Sequence, residues 1–438
     1  MTIADWDNKF GNQFLIALTN EERRYLGICN LSPDWNTSTY CSKTNLWYTR
    51  VTAFFDGDVI VKAISEVKKV LNDGSVVYEN YAEYDTQLQT KDRKELLPLT
   101  SRGKIKPLTA ANINSVTPFG CCFAIGFDSV SGRRHTFIGL SNPRANKEFP
   151  IGEWNAVERI GSDADFHIFM NDYIASCRND YFEKLNLFKN SQKITVKYKV
   201  GDIFRMELDR TQYCYGIITG NIRDFEAMPE LPKKHSLRQL MMVPLMVRYY
   251  RINTEDPNLK SQDLDQIPLG YVDIVGDNDI IWGKHTIVDH KTLAEDDLYF
   301  NFVCTKIVSK SKHTTLFTQD GFFRDGLIPK QEYTLYIEWG FAQTSLRYDQ
   351  LSEKLKEYLD SYSSPHGGVA ITIDPRKAVP DEQYRRRSSY CQNLLNPENR
   401  DFLNEVFACL GVEKDLTFDQ FAEIFGGLTR QEIIARMK

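Results

Sequence analysis

The sequence predicts an α+β, multidomain protein, and three observations carry that expectation. The chain has 438 residues, more than a single hydrophobic core usually serves. Runs that alternate apolar and polar residues, separated by Gly and Asn/Asp turns, fill the chain to about residue 340. Beyond that point apolar positions recur at helical spacing between capping boxes. The expected organisation is an N-terminal α+β domain over 1–190, a β-meander with a long helix. A central mostly-β domain of barrel- or sandwich-like form follows over 191–343, and a small helical C-terminal unit over 344–438.

Thr19 and Glu22 form a capping box and Gly27 stands at a C-cap position, so 20–26 is expected as a short helix. Strands at 47–55 and 59–70 flank Asp56-Gly57, and Asn72-Asp73-Gly74 turns the chain into a third strand at 76–84. Residues 85–118, punctuated by Pro98, Pro107 and Pro118, are expected as irregular structure over the meander. A hairpin of 119–127 and 134–140 closes the sheet. Between 162 and 188, Phe166, Phe169, Met170, Tyr173, Cys177 and Leu185 recur at helical spacing, which predicts one long amphipathic helix.

The second domain opens on residues 198–221. Phe204, Met206 and Leu208 alternate with Ile203, Arg205 and Glu207; after the polar turn 209–212, Tyr213, Tyr215 and Ile217 alternate with Cys214, Gly216 and Ile218. That is a hairpin pattern, and Gly216, with no side chain, lets a ring or another backbone pass close. Further strands are expected within 240–250, 269–275 and 300–309, with 333–339 the last and 276–279 a hairpin turn. Helices follow around 351–362 and 402–410, the second stopped by Gly411, and after the boxes Thr417/Gln420 and Thr429/Glu432.

Composition narrows the function classes. Nine scattered cysteines without a CxxC pair suit reduced thiols in a cytoplasm. The first residues lack the basic and apolar regions of a signal peptide, and no apolar run reaches membrane-spanning length, so no membrane association is expected. The formal net charge of −5 argues against nucleic-acid binding by the whole chain. Its distribution is uneven: residues 255–297 hold 11 acidic residues against three lysines, so this stretch carries −8 and the remainder +3.

No GxGxxG, Walker-type loop, HExxH or GxSxG is present, which removes the usual entry points for nucleotide, zincin and α/β-hydrolase chemistry. Asp277-Asn278-Asp279 resembles the start of a calcium loop, but Ile281 and Val288 occupy positions where oxygen ligands belong. His285 and His290 are five apart, an odd offset that sends two rings to opposite faces of a strand. Cys121 and Cys122 point to opposite faces for the same reason and suit core packing. Asp85 with the charged run 91–95, and Arg385-Arg386-Arg387, suit solvated loops. No catalytic residue, metal or cofactor is expected. What remains is the acidic stretch: Asp273, Asp277, Asp279, Glu295, Asp296 and Asp297 around Trp282, carboxylates about an aromatic anchor, suit a basic protein partner. An ordinary acidic surface over a buried Trp282 is the alternative.

The opening hairpin also carries a resemblance. GDIFRMELDRTQYCYGIITG resembles the start of the immunity protein 26 family of bacterial polymorphic-toxin systems, a Gly-Asp-x-Phe strand followed by Tyr-x-Tyr-Gly. Gly201, Asp202, Phe204, Leu208, Tyr213, Tyr215 and Gly216 match in order. DIIWGKHTIVDHKTL is similar to the family's second recurring segment, except that Trp282 precedes Gly283. The resemblance covers roughly residues 196–340 and implies a cytoplasmic immunity protein that binds and blocks a cognate toxin, often a nuclease, with no catalytic residue of its own. Some relatives carry a phosphotriesterase label, so two other readings stay open. One is a metal-dependent phosphoester hydrolase using His285, Asp289 and His290 or the Asp85 cluster; the other is a small-barrel nucleic-acid binder using Arg385–Arg387.

Overall fold

A computed structural model describes residues 1–97, 103–116, 118–130, 133–151, 157, 159–208, 211–240, 243–298, 302–309, 333–361, 373, 378 and 393–437. The chain divides into two compact units, Met1–Thr195 and Val196–Lys438. The architecture is α+β, with antiparallel sheets in both units and no closed barrel among the described residues.

The first unit begins with α1 (Ile3–Phe10) and α2 (Asn20–Tyr25), each opened by a capping box, Thr2/Asp5 and Thr19/Glu22. Four strands then run as a meander: β1 (Asn36–Thr44), β2 (Trp47–Asp56), β3 (Val59–Val70) and β4 (Val76–Lys91). A small pair, β5 (Glu95–Leu96) and β6 (Lys106–Pro107), leads to α3 (Ala110–Asn114). Strands β7 (Cys122–Val130), β8 (Arg133–Asn142) and β9 (Lys147–Phe149) complete the sheet in the order β1-β2-β3-β4-β7-β8-β9.

The single helix expected over 162–188 is two, α4 (Asp163–Ala175) and α5 (Tyr181–Lys189). The break follows from local bonds at the end of α4, where the Ser176 hydroxyl and the Cys177 thiol both turn back to the Tyr173 carbonyl. The Tyr173 and Tyr181 hydroxyls then meet at 2.9 Å across the bend. Both helices bury their apolar sides on one sheet face, Phe166, Met170, Tyr181 and Leu185 against Phe123, Ile125 and Leu140. The opposite face packs Val51, Ala53 and Phe55 under Leu108 and Ile113.

The second unit opens with the expected hairpin, β10 (Asp202–Glu207) and β11 (Tyr213–Asn221), followed by α6 (Ile222–Glu226) and β12 (Pro244–Tyr249). Turn residues 209 and 210 lie outside the described residues. Phe204 pairs with Gly216, and a Cβ on that glycine would lie 2.4 Å from the Phe204 ring, so the bare position makes room for the ring. Next come α7 (Ser261–Leu264), β13 (Asp273–Gly276), α8 (Asn278–Ile281), β14 (Thr286–His290) and α9 (Glu295–Leu298). The sheet order is β13-β12-β11-β10-β14. Phe204, Met206, Cys214 and Val247 form the core on one side of it, and Ile203, Tyr215, Ile217 and Leu264 on the other.

A second sheet holds β15 (Val303–Ser309), β16 (Tyr333–Trp339) and β17 (Ala342–Arg347). Strand β17 extends the domain beyond the strand expected to be its last. Helices α10 (Glu353–Ser361), α11 (Arg400–Leu410), α12 (Phe418–Phe425) and α13 (Arg430–Met437) follow. Gly411 and Gly426, at φ 70° and 78°, stop α11 and α12. These C-terminal helices share a core with the three-stranded sheet: Trp339 packs on Phe407, Phe418 and Phe421. The Arg385–Arg387 run lies outside the described residues.

Candidate functional site

The acidic stretch separates into an interior part and an exposed part. Asp273, Asp277 and Asp279 are buried, at 4%, 2% and 5% exposure, which corrects the expectation that they face a partner. Residues 276–279 lead into the helical turn α8 and do not form a hairpin loop, and partners distant in sequence cover the carboxylates. Asp273 accepts a hydrogen bond from the Tyr249 hydroxyl at 3.3 Å, and Asp277 from the Tyr198 hydroxyl at 2.9 Å. Asp279 accepts from the Ile373 amide at 3.0 Å and lies 3.8 Å from Lys284 Nζ. Trp282 caps the end of α8 half-buried.

Glu295 is exposed, and Asp297 is half-buried beside Arg248, whose Nη1 donates to it at 2.7 Å. The Asp296 side chain lies outside the described residues. Four further carboxylates are exposed on the segment between β12 and β13: Glu255, Asp256, Asp263 and Asp265. Their signal was already present in the charge count of the stretch, although composition alone did not separate them from the buried aspartates.

The two histidines part company. His285 is 3% exposed, stacks on Phe204, and keeps its Nε2 3.7 Å from Asp279, too far for a hydrogen bond. Burial, with the Lys284 charge beside it, pulls its pKa down to about 3. His290 is exposed, and its Nδ1 lies 2.9 Å from Asp202 Oδ1, while Asp202 Oδ2 accepts from the Lys199 amide. The glycine of the Gly-Asp pair is fixed by the same contact: Gly201 sits at φ 93°, and a Cβ there would lie 2.7 Å from the His290 ring and 2.4 Å from the Lys291 carbonyl. Asp289 accepts from the Ser261 amide and hydroxyl and from the His290 amide, bonds that hold its carboxyl down at about 2.

Elsewhere, Asp85 is buried on β4 against Lys62, and burial pushes the Cys121 thiol up to about 12. Among the described residues no three His, Cys, Asp or Glu side chains are arranged to hold a metal ion, and no helix is long and apolar enough to cross a membrane. Asp202, Phe204, Tyr213, Tyr215 and Gly216 lie in the first hairpin of the second unit and Gly201 just before it, and Tyr215 donates to the Asp256 carbonyl at 2.8 Å, which ties down the acidic segment.

No curated protein and no solved structure matches the chain. Residues 199–314, a span that includes the strands of the five-stranded sheet, match the family model of Immunity protein 26.

Proposed function

We propose that this chain is a cytoplasmic immunity protein that binds and neutralises a cognate toxin through its second unit. The match of residues 199–314 to an immunity-protein family carries the reading. Charge supports a basic toxin, and a nuclease is the class that fits best, because an enzyme that grips phosphates clusters Lys and Arg and an inhibitor meets them with carboxylates in a rigid frame. In this reading the contact surface holds the exposed Glu255, Asp256, Asp263, Asp265 and Glu295 together with Asp297 and Trp282. Asp273, Asp277 and Asp279 act beneath it as framework that fixes α8 and β13.

The test is co-expression with the product of the neighbouring reading frame. Growth arrest by that product, relieved by this chain, is the expected result. In the purified pair, replacing Asp263 and Glu295 by lysine slows association at least severalfold and flattens its dependence on salt. A neighbouring product that neither arrests growth nor binds this chain overturns the reading.

A further inference from the structure

The segment that joins β12 to β13 is built around one buried hydroxyl. Tyr215 of β11 is fully buried, and its hydroxyl donates to the Asp256 carbonyl at 2.8 Å while accepting from the Leu259 amide at 3.3 Å. Beside it, Arg205 of β10 donates to the Pro257 carbonyl at 2.7 Å and holds its guanidinium over the Tyr213 ring. The backbones of Tyr213 and Thr254 bond in both directions, at 2.7 and 3.1 Å, where the segment begins. Side chains of the first hairpin thus serve three closely spaced backbone groups of an irregular stretch, which has no ladder of its own to satisfy them.

A second set of anchors holds the far end. Asp289 of β14 accepts from the Ser261 amide and hydroxyl, each at 2.8 Å, at the start of α7. Lys260 Nζ donates to the Val288 carbonyl at 2.7 Å, and Lys291 Nζ to Asp265 at 2.5 Å. Leu259 and Leu264 pack inward with Ile203 and Tyr215. What these anchors leave outward is acidic: Glu255, Asp256, Asp263 and Asp265 are exposed. Two of the four also brace the segment itself, Asp256 taking the Asn258 amide and Asp263 the Lys260 amide, both at 2.8 Å. The cations around it are engaged in holding it, Arg205, Lys260 and Lys291 as described, while Arg251 lies against Gly270.

We infer that Tyr215, Arg205 and the Ser261–Asp289 pair are positioning residues for toxin binding, which fix residues 255–265 in their binding arrangement before the toxin arrives. An unanchored loop loses conformational entropy when a partner orders it, and a loop ordered at folding does not. The inference deepens the immunity reading and rests on it for the identity of the partner.

Hydrogen exchange of the free full-length chain, read amide by amide, and affinity for the neighbouring gene product over a salt series test it together. In the parent, the Leu259 and Ser261 amides are expected to exchange far more slowly than in an unstructured peptide. Tyr215→Phe keeps the ring and the net charge, and is expected to speed exchange at Leu259 about tenfold while the amides of β11 and β12 keep their parent rates. Its affinity for the toxin is expected to fall by about the same factor with an unchanged salt dependence, because no carboxylate is lost. Ser261→Ala is expected to act in the same direction with a smaller effect, and it decides the matter if Tyr215→Phe does not fold. Three results overturn the inference: parent amides that exchange at unstructured rates, strand amides that speed up as much as Leu259, or toxin affinity that neither variant changes. A gene product that does not bind the parent chain overturns the immunity reading instead, and takes the toxin role of these residues with it whatever the exchange rates show.

Discussion

Lys62 in the first unit and Asp277 in the second are both buried ionisable residues, and their surroundings differ in kind. Lys62, fully buried, places its ammonium 2.9 Å from both Glu83 and Asp85. Glu83 also takes Arg23 at 2.7 Å and the Tyr81 hydroxyl at 2.7 Å. Burial alone raises the Glu83 pKa, yet Arg23 and Lys62 outweigh it and hold the carboxyl below its ordinary range. On the same sheet face, Arg50 and Glu66 form a second buried pair. In this interior charge meets charge, two cations against two anions around Glu83.

In the second unit, buried carboxylates accept from neutral donors among the described residues. Tyrosine hydroxyls serve Asp273 and Asp277, a backbone amide serves Asp279, and Glu338 accepts from the Ser236 amide and from Gln343 Nε2 at 2.6 Å. The contrast teaches that a buried ion pair is intolerant of losing either member, because the survivor keeps its desolvation penalty. A carboxylate held by hydroxyl or amide donors can be replaced by a neutral acceptor of the same shape.

Three measurements test that contrast, and the largest effect belongs to the ion network. Lys62→Ala strands Glu83 and Asp85 in the first unit and is expected to destabilise it by about 3–5 kcal/mol in urea unfolding. A loss below about 1 kcal/mol breaks the comparison.

The second is a pH dependence of the second unit. His285 is neutral when folded, with its pKa lowered to about 3 from an ordinary 6.5, so the unfolded chain binds the extra proton between those values. Stability therefore rises with pH across that window and falls on acidification, with a slope of about 1.4 kcal/mol per pH unit from this group. His285→Leu is expected to flatten the profile below pH ~6.5 relative to the parent chain. Parallel profiles for the two proteins would show that His285 gains a proton as readily when folded as when unfolded.

The smallest effect is expected for Asp277→Asn, which keeps an acceptor for the Tyr198 hydroxyl and is expected to cost about 0.5–1.5 kcal/mol. If its cost in urea unfolding equals that of Lys62→Ala, the two interiors do not differ in kind.

Part of this was legible in advance. The pairing of β10 with β11, the close pass of Phe204 over Gly216, the boxes that start α2 and α12 and the glycine that stops α11 all rest on contacts within a few residues or on period-2 alternation. The misses have a shared cause. Strand β1 is polar and half-exposed at a sheet edge, so alternation is weak there, and α1 is a short helix whose buried Trp6 finds its packing partners, Tyr48 and Val70, some forty or more residues away. The helix over 162–188 kept its apolar period through a bend that side-chain bonds to the Tyr173 carbonyl create.

By itself the sequence determined the fold class, the hairpin of residues 202–221, and the presence of a strongly acidic stretch, because period, turn chemistry and charge are written in adjacent residues. Only the tertiary structure decided which of those carboxylates reach solvent. Asp277 and Asp265 are alike in composition, and what separates them is that Tyr198, 79 residues away, comes to cover one, while the other stays at the rim beside Lys291. Burial is set by contacts between distant segments, and no local pattern encodes it.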